Sequence, residues 1–386
     1  VSIDGNGAGP TSVANLTGGD LRIGGNGMST AGQGSIVANG GKITSTASNT
    51  LTVPRSILAG GLTAAFGSAT TNITITDNCV TTGSGPLTIL NESATGEKNY
   101  TINTSSPTYS GAVSVPSGVR LQLQQPTALG TGTATLVSGS GAFLTSSAAS
   151  YPTNFILSGN GWVEPASTLA YGALRLQTAT VSGNVAIAAG GARISAHNGS
   201  NGTITGNLTG SSPLEINSTQ ASNNGTVTLA GNGTGFTGAI TVPQGRLNVS
   251  GSVGGNVSTI DGATLGGEGS IGGNLTLGGT TPATLNIDPT TSAALAVTGN
   301  VTLTGANSLS FTPPPTTVGA PIKVFSYSGT LTGTPGTDLV LANAASYRTA
   351  SWSNTGGVVS LTLSNKNLSW TGSAGGTWDV GTTASW

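Results

Sequence analysis

Apolar residues recur at every second position in short bursts: Val113 and Val115, Ile240 and Val242, Leu275 and Leu277, Leu361 and Leu363. Successive side chains of a strand point to opposite faces, so this period predicts very short β-strands with one buried side. Through the middle of the chain the bursts return about every ten residues (Leu174/Leu176, Val185/Ile187, Ile194, Ile204, Leu214/Ile216, Val227/Leu229) and are separated by glycine-rich turns. Few stretches place apolar residues at i, i+3 and i+4 over three turns, and β-branched residues and glycine disfavour helix throughout. The pattern predicts an all-β chain, either a sandwich or a solenoid.

An internal repeat favours the solenoid. Tyr109-Ser-Gly111-Ala-Val113-Ser-Val115-Pro116-Ser-Gly118 matches Phe236-Thr-Gly238-Ala-Ile240-Thr-Val242-Pro243-Gln-Gly245, and an alternating strand follows each copy. A weaker copy, Thr52-Val53-Pro54, precedes the first. The intervals from Pro54 to Pro116 and from Pro116 to Pro243 are both near multiples of about 21, which suggests a coil of that length. Such a coil would turn Val, Ile and Leu inward and pair its backbone with the coils above and below. Glycine would sit at tight corners, proline at strand ends, and Asn and Thr would stack as ladders. On that ruler the chain makes roughly 15–18 coils, a rod of roughly 70–90 Å. Pro313-Pro314-Pro315 interrupts the pattern and longer apolar segments follow it, so a boundary is expected near residue 305. The predicted organisation is a parallel β-solenoid over 1–305, a β-rich, sandwich-like cap over 306–365, and a Trp-containing tail over 366–386.

Composition narrows the chemistry. Only 6% of residues are charged, 63 of 386 are glycine and the net charge is −1, so no basic stripe is available for nucleic acid. Low charge with 35% hydrophobic residues in strand register argues against disorder. No run approaches the ~18 apolar residues of a membrane helix. Val1 is not an initiator Met, so the chain reads as processed or cut from a longer precursor. Cys79 is the single cysteine, which excludes an internal disulfide and reads as a small buried hydrophobe.

The twelve acids are dispersed, Asp261 and Glu268 being the closest pair in the central region, and His197 beside Asn198 and Gly199 reads as a turn residue. No catalytic group, cofactor or metal site is therefore assigned, and a polysaccharide-degrading enzyme is the third reading, dependent on distant acids meeting across coils. Gly233-Thr-Gly-Phe-Thr-Gly238 has dinucleotide spacing but runs into a strand, so these are turn glycines. The many Asn-x-Ser/Thr sites (Asn72, Asn99, Asn248, Asn274 and others) read as turn asparagines followed by Thr-rich strands. Trp370, Trp378 and Trp386 are evenly spaced at the end of the chain, as aromatic anchors for a groove on this or a neighbouring chain, or as a surface for sugar stacking.

The stretch from Leu229 through Phe236 and Val249 to Leu277, and the stretch from Tyr109 to Leu123, resemble the autotransporter-associated β-strand repeat. The Trp370-x-Gly…Trp378-Asp379 element is similar to the inter-unit motif of large bacterial surface proteins that carry such repeats. The resemblance implies a right-handed parallel β-helix on the surface of a bacterium or secreted from it. It leaves function open among fibres, adhesins and carriers of other modules. The expected role is an extracellular structural rod assembling head-to-tail with itself or as tandem units of a larger chain. The alternative is an adhesin holding glycans along its flank.

Overall fold

The structure, a computed structural model, describes residues 13–23, 34–67, 72–93, 95–145, 149–164, 170–219, 224–316, 318–347 and 349–365. The described residues form a parallel β-solenoid with almost no helix, a single 3-10 turn at Ala344–Ser346 being the exception. Each coil contributes to three faces. Leu62–Phe66 lies on the first, Ile73–Asp77 on the second and Thr81–Gly83 on the third; Leu87–Asn91 then returns to the first, one coil on.

The second face carries the longest ladder. It begins at Asn49–Leu51, Ile73–Asp77, Lys98–Ile102, Val119–Leu123, Gly141–Leu144 and Leu174–Leu176. The later half of Val185–Ala196 continues it, followed by Leu214–Ile216, Ile240–Val242, Val257–Thr259, Leu275–Leu277, Val301–Leu303 and Leu331–Thr332. Thirteen strands give twelve coil-to-coil steps, about 58 Å at ~4.8 Å per step. Over the described residues this ladder has fewer coils, and is shorter, than the 15–18 coils expected. The coil is not constant. Residues stacked one coil apart are separated by 18 positions at Asn256 and Asn274, by 21 at Asn99 and Arg120, and by 30 at Asn154 and Asn184.

The repeat explains why the 21-residue ruler misled. Five coils below Val113 the chain has passed Ala134, Phe155, Val185, Leu208 and the Gly210–Phe236 bridge. Ile240 lies beyond that point, on the next face. Val113 and Val115 thus sit on the first face, and Ile240 and Val242 on the second. The interval between the two copies is five coils plus one face. The motif encodes a corner and the strand after it, and every coil has three corners. Local packing is the same in both copies. A Cβ at Gly111 would lie 2.8 Å from the Tyr109 ring, and one at Gly238 would lie 2.8 Å from the Phe236 ring. Tyr109, Val113, Val115, Phe236, Ile240 and Val242 are all buried, with Pro116 and Pro243 immediately after their strands.

Inside the rod, like packs on like. Leu214, Ile240, Val257, Leu275 and Val301 stand in register, each almost fully buried. Burial of each such side chain is worth about 1.5–3 kcal/mol. At one corner the successive coils touch backbone to backbone: a Cβ on Gly255 would overlap the Gly238 carbonyl, which leaves that position to glycine. On the outside, asparagines climb as expected. Asn256 Oδ1 accepts the Asn274 amide at 2.8 Å, Asn274 Oδ1 accepts that of Asn300 at 2.8 Å, and Asn300 Oδ1 that of Thr330 at 2.8 Å.

Parallel pairing continues past residue 305, through Asn307–Phe311 to Leu339–Leu341. The C-terminal part is β-rich and mixed. Pro321–Tyr327 is parallel to Leu295–Val297 on one edge and antiparallel to Val358–Ser364 on the other, and Thr349–Thr355 completes the hairpin. Trp352 from this hairpin packs near Gly336, beside the last coil.

Candidate functional site

Three clusters of polar side chains stand out, and they differ in what they leave open. The first is sealed. Arg55 projects inward from the third face and Asp77 from the second, and their Nη2 and Oδ2 atoms meet at 2.5 Å with both side chains almost inaccessible. Tyr100 donates to the same Oδ2 at 2.6 Å, and Arg55 Nε donates to Thr81 Oγ1 at 2.9 Å. Burial, the largest single influence, would pull the Arg55 pKa down, but the Asp77 carboxylate together with Tyr100 and Cys79 outweighs it and holds the guanidinium well above its usual range. Burial, reinforced by Asp77, pushes the Tyr100 hydroxyl up. This network joins consecutive coils where no ligand can reach.

Cys79 belongs to the same region. Its backbone amide donates to Asp77 Oδ1 at 3.0 Å, and the side chain is buried, as the sequence suggests. Burial first, and the Asp77 charge next, push the thiol up, so thiolate is scarce at any ordinary pH. In the folded protein Cys79 is expected to resist a thiol-specific reagent at pH 8 and to react stoichiometrically in guanidinium. Rapid labelling of the folded chain would contradict this packing.

The second cluster is filled. Arg120 and Arg175 share the Glu164 carboxylate at 3.1 and 3.2 Å. Arg120 lies over Trp162 at 4.9 Å, and Arg175 over Tyr171 and Phe143 at 4.5 and 5.0 Å. The remaining space is about 10 Å³, no more than one water. Trp162 is therefore covered by its arginine and offers no stacking surface.

The third cluster is open: a groove of about 420 Å³ along the third face. It follows a row of positions brought into register across five coils, Thr228, Asn248, Gly266, Asn286 and Ser310, of which Thr228, Asn248 and Asn286 line it. Arg246 points outward from Arg246–Val249, two positions before Asn248, and donates from Nε to Asn248 Oδ1 at 2.6 Å. Its guanidinium lies over Gly266, where a Cβ would come 2.6 Å from Nη2, so glycine makes room for the arginine. Burial pulls the Arg246 pKa down, the mark of a cation partly stripped of water. Among the described residues, the arginines Arg22, Arg55, Arg120, Arg175 and Arg193 each have a carboxylate within 4 Å, and Arg246 has none. Asn286 Nδ2 donates to Ser310 Oγ and Thr312 Oγ1 at 2.8 and 3.0 Å. Glu268 and Asp288 line the groove, tied to Thr291 at 2.7 Å and Thr290 at 2.6 Å.

Asp261 and Glu268, the acids closest in sequence in the central region, occupy successive corners of one coil, with Thr264–Gly266 between them. Glu268 shares its groove with Asp288 instead. Arg246, Asn248 and Asn286 were missed as a group. Their one sequence signal is the alternation Arg246-Leu-Asn248-Val and Thr284-Leu-Asn286-Ile, which places polar residues outward on strands of the same face. The repeat residues Tyr109, Gly111, Val113, Val115, Pro116, Phe236, Gly238, Ile240, Val242 and Pro243 form core and corners, away from this groove. Trp370, Trp378 and Trp386 lie outside the described residues. His197 is half-exposed at the mouth of a turn. The sequon asparagines have structural partners: Asn72 Oδ1 accepts the Glu97 amide at 2.9 Å, and Asn99 Oδ1 accepts Arg120 Nε at 2.8 Å. Among the described residues no three of His, Cys, Asp and Glu are grouped to share a metal ion, and no helix is long and apolar enough to cross a membrane.

No family model matches the chain, and no curated protein and no solved structure matches it either.

Proposed function

We propose that this chain is a rod segment of a bacterial surface or secreted protein, extracellular and structural, which assembles head-to-tail with itself or with like units of a larger chain. The observation that carries the reading is the unbroken core. Among the described residues one continuous hydrophobic core runs through the stacked coils, and the single cysteine is buried and free, so the body is held by packing and backbone ladders and is stiff along its axis. The resemblance of Leu229–Leu277 to autotransporter-associated repeats supports the location. Open ladder edges support assembly: among the described residues, Leu331–Thr332 pairs only with Val301–Leu303. An unpaired edge accepts another strand, and a heterologous contact that does not close makes a filament.

Negative-stain electron microscopy at low and high concentration tests this reading. Fibres that lengthen with concentration are expected, and deletion of 366–386, with its three tryptophans, is expected to abolish them while the circular dichroism stays that of β-sheet. Unchanged fibres after that deletion would remove the tail from the mechanism. Short single rods at every concentration would reject self-assembly.

A second reading, a flank that binds glycans, is favoured by the groove over the third face. Amide and hydroxyl side chains on a rigid floor suit sugar hydroxyls, and the row runs along the rod as a polysaccharide chain would.

A further inference from the structure

We infer that the third-face groove binds an acidic oligosaccharide, with Arg246 receiving a uronate carboxylate; this deepens the glycan-binding reading and rests on it. Three features select the ligand class. The first is length. The lining residues Thr228, Asn248, Gly267, Asn286 and Thr312 come from five coils, spanning about 19 Å at ~4.8 Å per coil, so the groove fits a chain of sugars better than a single one. The second is polarity. Asn248, Asn286, Thr228, Ser250 and Thr312 all line the groove and offer amide and hydroxyl groups to hydroxyl-rich rings.

The third feature is charge. A guanidinium partly withdrawn from water is ordinarily paired, and the five other described arginines are. Arg246, which lines the groove, spends its Nε on a neutral amide oxygen and keeps its Nη2 beside Gly266. A carboxylate can take those two N–H groups side by side, which a neutral sugar cannot. Glu268 and Asp288 are each drawn to a loop threonine and form no ion pair with Arg246, which leaves the cation for the ligand. Their remaining oxygens can accept sugar hydroxyls next to the carboxylate subsite. Loss of the Gly266 notch would also close the subsite, because a Cβ there would displace the guanidinium.

The test is calorimetric titration of the full chain at low salt with hexamers of galacturonate and of mannuronate, their methyl esters, and a neutral galactose hexamer. One acidic hexamer is expected to bind at least about tenfold more tightly than its own ester and than the neutral hexamer. In Arg246→Gln, with its melting curve checked against wild type, that preference is expected to vanish while any neutral binding is unchanged. The ester comparison is made on the wild-type chain, so it stands even if the variant folds poorly. Equal binding of acid, ester and neutral hexamers would overturn the inference and leave glycan binding by the flank standing. Acid preference that survives in Arg246→Gln would overturn the assignment to this groove. No binding of any hexamer would overturn both.

Discussion

Asp77→Ala is expected to cost about 3–5 kcal/mol, because it strands the Arg55 guanidinium inside the rod without its carboxylate. The same change removes the acceptor for the Tyr100 hydroxyl and for the Cys79 amide. Water cannot compensate, since both members of the pair are nearly inaccessible. A solenoid is stabilised by its own coils and their nearest neighbours, so the loss should concentrate in the coils around residues 49–102. Guanidinium denaturation followed by tyrosine fluorescence should show an earlier transition, with hydrogen exchange accelerated there and little changed beyond residue 200. The double variant Arg55→Met/Asp77→Leu is expected to recover most of the loss, since replacing a buried pair with apolar groups is often neutral or stabilising. A single Asp77→Ala that melts like wild type would mean that water or local rearrangement reaches the pair.

Phe236→Ala should be comparably severe, about 3–5 kcal/mol, for a different reason: it opens a cavity beneath a corner where the backbone cannot collapse. The ring packs against Gly238, which in turn lies under the Ser212 carbonyl, so that side of the hole is main chain. Tyr109→Ala is expected to match it, because the two aromatics occupy equivalent corners although they stand on different faces. Their conservative exchanges should differ in kind. Tyr109 donates to the Gly85 carbonyl at 3.0 Å, so Tyr109→Phe loses about 1 kcal/mol. Phe236→Tyr, by contrast, would have to find a partner for a buried hydroxyl. Denaturation midpoints and limited proteolysis around residues 230–240 would measure these effects. If Phe236→Ala were tolerated within a few tenths of a kcal/mol, the shared motif would not be an anchoring corner.

These two sites show how far local sequence reaches. Alternation at Val113/Val115 and Ile240/Val242 reports burial of one strand face, a property of two or three residues, and the structure buries those side chains as the period requires. The all-β character, the buried Cys79 and the β-rich C-terminal part were legible for the same reason: each depends on residues close in sequence. The coil length was not. The interval between Tyr109 and Phe236 is the same whether it spans whole coils or whole coils and a face, and only the pairing of Val113 with Ala134 and of Ile240 with Val257 separates the two.

The groove lies further still from what sequence can reach. Thr228, Asn248, Gly266, Asn286 and Ser310 follow one another at intervals that differ from coil to coil. Nothing in any one segment marks its outward residue as the neighbour of the next. Stacking register brings them into one row, and the missing side chain at Gly266 lets Arg246 lie across it. Likewise Asp77 meets Arg55 because two faces of the rod converge on one interior. The sequence determined which residues turn inward and where the chain bends, since both follow from side-chain period and backbone freedom. The tertiary structure alone decided which outward residues share a surface and which buried charges are paired, because both depend on contacts between coils of unequal length.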